Sequence, residues 1–148
     1  MVKKTDKLEK ILNEMNIDGI FLTDLYNLRY FTGFTGTTGV AFVTKKRNFF
    51  FSDFRYKNQC SKQVVPMGFE FVEIKRGSIV AVGEYAKKLG INKVGFEDKN
   101  VSFSLYNTLK DIFNAELVPV GDRIILESMV KTLVESEKIK KTEKKRDK

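Results

Sequence analysis

The sequence predicts an α/β fold: a three-layer arrangement with a mixed sheet, mostly parallel but with one antiparallel hairpin, and helices on both faces. Three observations carry this. Strand-like and helix-like segments alternate from residue 69 to residue 120, which favours parallel pairing through right-handed crossovers. Two apolar runs, Val40 to Val43 and Phe49 to Phe51, flank the short charged turn Lys45-Lys46-Arg47-Asn48, a hairpin pattern. The composition, 42% hydrophobic with 13 Phe in 148 residues, supplies one domain-sized core and leaves no room for two.

Each element has its own local reason. Leu8, Ile11, Leu12 and Met15 recur at helical spacing, so a helix is expected over residues 6–16, with Asp6 and Glu9 at capping-box spacing. Gly19-Ile20-Phe21-Leu22 is a short buried strand, and Asp24 caps a helical stretch holding Leu25, Leu28 and Tyr30. Residues 54–64 are expected to be helical and Phe69 to Ile74 extended. Ser78 is placed as the cap of a helix carrying Ile79, Val82, Ala86 and Leu89, which Gly90 ends. Val94-Gly95-Phe96 is a strand, and Ser102 opens a helix with Leu105, Tyr106, Leu109, Ile112 and Phe113. Glu116 to Val120 follows as a strand whose Pro119 puts it at an edge or a strand end. Ile124, Ile125, Met129 and Val130 are expected to pack on the sheet. A further helix, capped by Thr132 and Glu135, has little apolar surface beyond Ile139 and reads as the front of a linker helix. The domain is therefore drawn over residues 1–130 and the linker over 131–148.

Composition excludes several function classes. The chain has no His, so Ser-His and Cys-His nucleophilic machinery is absent, as are His-containing zinc sites. Its single Cys, Cys60, cannot form an internal disulfide and reads as an inert, partly buried thiol in a reducing cytoplasm. No stretch of about 20 apolar residues predicts a membrane span. Residues 1–130 hold 19 basic and 15 acidic side chains and residues 131–148 hold 8 and 4, so half of the +8 net charge lies in the last segment. No aromatic residue interleaves that basic tail, and a solvated helix face is favoured over nucleic-acid binding.

The candidate site residues cluster at predicted strand ends. The loop Gly33-Phe34-Thr35-Gly36-Thr37-Thr38-Gly39 is spaced unlike a phosphate-binding loop, and a structural turn with positive φ at its glycines is favoured. Asp53 and Arg55 can pair with each other or serve a ligand. Asp24, Asp53, Glu97 and Asp98 can in principle hold a divalent cation, but strand-end Asp residues are more often helix caps.

Taken together, these stretches resemble a known family. Asn27 to Gly36, followed by Gly39 and a strand, resembles the Tyr-x-Thr-Gly-Phe-x-Gly stretch in the N-terminal domain of Xaa-Pro aminopeptidases and Xaa-Pro dipeptidases, the creatinase/prolidase type. Ser52-Asp53-Phe54-Arg55-Tyr56 with Gln59 is similar to that family's Thr-Asp-x-Arg-Tyr-x-x-Gln-Ala segment, departing from it at Phe54 and Cys60. Val94 to Glu97 and the run from Lys131 to Lys141 match its remaining pieces in order. The resemblance implies a hydrolase whose catalytic C-terminal domain holds two divalent metal ions, often Mn²⁺, and cleaves peptides before proline; the cytoplasmic expectation comes from the lone Cys and the lack of an apolar span. None of those metal ligands maps onto this chain. For this domain it implies a shaping role at the substrate entrance, homodimer contacts, and no catalysis alone. Tyr30, Arg55 and Tyr56 are then the expected substrate-proximal residues, Arg55 as binder of a peptide carboxylate. A peptide-binding or scaffolding module from a non-catalytic relative is the alternative.

Overall fold

The computed structural model describes residues 4–75 and 78–129; the expected linker helix and Val130 lie outside the described residues. Among the described residues six strands form one sheet in the order β4-β3-β2-β1-β5-β6. β1 (Gly19–Leu22) pairs antiparallel with β2 (Val40–Thr44) and parallel with β5 (Lys93–Phe96). β3 (Asn48–Ser52) returns antiparallel from β2 and runs parallel to β4 (Glu70–Glu73), while β6 (Glu116–Pro119) lies parallel to β5 at the other edge. Only β2 opposes the rest, so the sheet is mixed and mostly parallel, as expected. One expectation fails: β4 and β5 are sequential but not neighbours, because β3, β2 and β1 lie between them. The crossover between them therefore spans the sheet.

Alternation along the strands divides the core in two. Ile20, Leu22, Ala41, Val43 and Phe50 point to one face, where they meet α1 (Lys4–Met15), α2 (Leu25–Thr32) and α3 (Lys57–Gln63). Phe21, Phe42, Phe49 and Phe51 point to the other, under α4 (Val80–Lys88) and α5 (Phe103–Phe113). The period of two in a Phe-rich run thus feeds both layers at once. Each fully buried Phe contributes about 1.5–3 kcal/mol from desolvation. A last helical stretch over 121–129 joins the first layer, with Ile124 fully buried and Glu127 paired to Lys10 at 3.1 Å.

Several caps follow the sequence and a few do not. Asp24 accepts from the Asn27 N–H, and Ser102 from the Leu105 N–H. Asn114, at φ 47°, ends α5 as glycine often does. Asp6 lies within α1 and not at its cap, since Lys4 and Thr5 before it are already helical. Ser78 does not cap α4 either: Ile79 occupies that position and no side chain bonds there. The helix expected over 54–64 is a one-turn 3-10 helix (Phe54–Tyr56) that leads directly into α3. The hairpin turn is closed by Thr44, whose hydroxyl donates to Arg47 O at 2.6 Å and accepts from Arg47 N at 2.9 Å.

Candidate functional site

In a mostly parallel sheet the connections leave from one end, and ligand crevices form there. Here β3 ends at Ser52 and the chain turns sharply at Asp53. The Asp53 side chain is 3% exposed and accepts from the Arg55 N–H at 3.0 Å, so it caps the 3-10 helix. It also takes the Arg55 guanidinium as a fork, Nε to Oδ1 and Nη2 to Oδ2, both at 2.8 Å. The carboxylate raises the pKa of Arg55 further and locks its direction. The pair forms across a turn and not along a strand, which the two-residue spacing alone does not distinguish. Asp53, Phe54 and Arg55 face Glu73, Ile74 and Lys75, from the end of β4, across an open cleft of about 590 Å³.

The elbow holds the glycine loop. Tyr56 meets the Thr37 hydroxyl at 2.8 Å, and this hydrogen bond lowers the phenol's pKa. Gln63 accepts from the Thr35 N–H at 3.0 Å and donates to the Thr35 hydroxyl at 2.8 Å, while Gln59 donates to the same hydroxyl at 3.1 Å. Ser52 donates to Thr38 O at 2.5 Å. The two stretches singled out in the sequence are therefore one structure. Positive φ, expected at the glycines, occurs in this loop only at Gly33, where φ is 82° and α2 ends. Gly36 and Gly39 are required by close approach instead. A Cβ at Gly36 would sit 2.6 Å from Tyr56 Cε1, and one at Gly39 would sit 2.6 Å from Phe50 Cζ.

The three expected substrate-proximal residues separate. Arg55 and Tyr56 are together, the guanidinium 5.4 Å from the Tyr56 ring centre. Tyr30 belongs to the α1–α2 contact: its ring is edge-on to Phe31 at 4.8 Å and lies 4.4 Å from Lys4 Nζ. Thr35, Thr37 and Gln63 were not singled out individually by sequence; the signal available was the i, i+4 pair Gln59 and Gln63 on one face of α3.

The strand-end carboxylates do not converge on a cation. Asp24 caps α2, Asp53 holds Arg55, and Asp98 accepts from the Gly121 N–H at 2.8 Å. Glu97 is 2% exposed and accepts from the N–H groups of Thr23 and Asp24 and from the Asn27 amide, tying the end of β5 to the start of α2. Burial pushes its carboxyl above the usual range despite these donors. Among the described residues, no group of three or more His, Cys, Asp or Glu side chains is placed to hold a metal. The described residues therefore do not fit the two-metal centre of the family resemblance. Cys60 is fully buried, deeper than expected, and burial raises its thiol to about 11. Among the described residues no helix is long and apolar enough to cross a membrane.

Comparison with known proteins gives a consistent set. The creatinase/prolidase N-terminal domain matches residues 4–129. The chain is similar to an Xaa-Pro dipeptidase from Bacillus anthracis, at 41% identity and TM-score 0.75, covering 82% of this chain and 34% of that one. It is similar to the N-terminal domain of the cytoplasmic peptidase PepQ from Mycobacterium tuberculosis H37Rv, at 26% identity and TM-score 0.75, covering 84% and 97%. A curated relative, the uncharacterized peptidase YqhT of Bacillus subtilis (strain 168), is 34% identical over 138 residues, which are 93% of this chain and 38% of the relative. The chain thus spans little more than a third of these two longer relatives.

Proposed function

The chain belongs to the creatinase/prolidase N-terminal domain family, and on that premise we propose that it is the non-catalytic front domain of an Xaa-Pro peptidase. In this reading a C-terminal domain of the same protein carries the chemistry, with two divalent metal ions, manganese by preference. The present domain walls the route by which proline-containing peptides arrive, contributes homodimer contacts, and works in the cytoplasm.

The observation that carries the proposal is the elbow at Asp53. A buried carboxylate holds Arg55 by Nε and Nη2, which leaves Nη1 outside the fork, and Arg55 lines an open cleft. A peptide C-terminus is a planar carboxylate that a guanidinium so held can receive without reorganising. Tyr56 is held beside it by Thr37. Tyr30 contributes, in this proposal, only through the packing of α2 that ends at the glycine loop.

The interface half of the proposal is supported by where apolar surface lies. Tyr26 is 66% exposed, Phe54 73% and Phe103 80%, and these follow β1, β3 and β5 at the carboxyl end of the sheet. Val80, Ile125 and Met129 lie on segments that leave from the same end. One end of the sheet thus carries both the cleft and most of the exposed apolar side chains, which suits contact with another domain or copy. Arg55→Ala in the full-length enzyme tests the substrate role: KM for a proline dipeptide should rise about tenfold with kcat little changed. Unchanged KM together with an unchanged oligomer would refute it.

A further inference from the structure

Beside the Arg55 cleft, a second cavity of about 260 Å³ opens where β1, β3 and β4 end and β2 begins. Its body is apolar, built from Leu25, Val40, Phe51, Ile74 and Ile79. The polar groups around it are mostly committed. The Ser52 hydroxyl donates to Thr38 O, the Thr37 hydroxyl meets Tyr56, and Asp53 is held by Arg55. Lys75 is different: it is exposed at the mouth and has no ion-pair partner among the described residues. Thr38 and Ser78 also line the cavity, and among the described residues their hydroxyls have no hydrogen-bond partner.

An apolar chamber whose uncommitted charge is cationic selects for an anion with a hydrophobic body. A zwitterion is disfavoured, because its ammonium would find no open carboxylate in this lining and would face Lys75. At roughly the share of volume that a water molecule takes for each atom, the cavity accommodates on the order of ten non-hydrogen atoms. We propose that it is a binding site for a small monocarboxylate with a compact branched or aromatic body, the carboxylate at Lys75 and the apolar end against Phe51 and Val40. The site concerns free small acids and is independent of the peptidase reading, which stands or falls separately.

The test is an amide NMR titration of the 148-residue chain with 4-methylpentanoate, run beside 4-methylpentan-1-ol and leucine. The acid should give saturable shifts at Thr38, Val40 and Ser78 with Kd below about 10 mM. The alcohol and leucine should bind at least about tenfold more weakly, and so should the acid with Lys75→Met, at unchanged Tm. Ile79→Trp, which fills the apolar end, should abolish the shifts without touching the charge. Absence of saturable shifts up to about 10 mM, equal binding by the alcohol or by Lys75→Met, or shifts that follow protein concentration alone would overturn the proposal.

Discussion

Asp53 is tied into the fold by several contacts at once. It ends a strand, caps a 3-10 helix and fixes a guanidinium, all from a position that is 3% exposed. Asp53→Ala removes the cap and the fork together and should cost about 1–3 kcal/mol by chemical denaturation. Arg55→Lys keeps the charge but not the fork, so in the full-length enzyme it should resemble Arg55→Ala in KM and not wild type. Glu97 offers a pH test. The folded state holds its proton more tightly than the unfolded chain, because burial outweighs the donors around it. Acidification from neutral pH toward the ordinary value of 4.5 therefore favours folding at this group, and rising pH through the raised folded value removes that contribution. Denaturation of wild type and Glu97→Gln across that window should show their difference moving in favour of wild type as pH falls. A difference that moves the other way would mean that the hydrogen bonds win over burial. Cys60, raised to about 11 and fully buried, should resist alkylation at pH near 8 until the protein is unfolded.

At the scale of elements, the loop between α2 and β2 is held by side chains far along the chain. Gly36→Ala places a methyl against the Tyr56 ring, and overpacking of this kind costs about 1–3 kcal/mol. It should also disturb Tyr56 and with it Arg55, so thermal unfolding and peptide KM should shift together. Gly33→Ala acts through backbone strain at φ 82° and should cost about 1 kcal/mol with a smaller effect on the cleft. Most of this was legible in part. The periodicity of α1, the hairpin, and the caps Asp24 and Ser102 are local signals, and they held. The cap of α4 did not: Ser78 has the right chemistry, but the helix starts one residue later than its side chain can serve. Gly36 and Gly39 depart from the expected positive φ: spacing reveals density of glycine and not its cause. Their cause is the close approach of Phe34, Phe50 and Tyr56; Phe34 belongs to the loop itself, but Phe50 and Tyr56 reach it from elsewhere in the chain, which a linear pattern does not show.

For the whole molecule, the fold class and its layers follow from alternation within strands and from strand–helix order, but strand neighbours do not. The crossover from β4 to β5 passes three strands, and no feature of the segment between them reports that distance. The joining of the glycine loop to the Asp53 elbow was equally hidden in the sequence, although both stretches were conspicuous. The sheet gathers them, because β1 and β3 run in the same direction and deliver their following segments to one end. That end carries the cleft, the fixed arginine and the exposed Tyr26, Phe54 and Phe103. In the proposed function this domain receives and guides peptides while bonds are broken elsewhere. Hydrolysis of Ala-Pro with added Mn²⁺, measured side by side on this chain and on a full-length protein that carries the C-terminal domain, tests it most directly. Turnover is expected from the full-length protein and none from this chain; turnover that copurifies with this chain through successive columns would overturn the proposal.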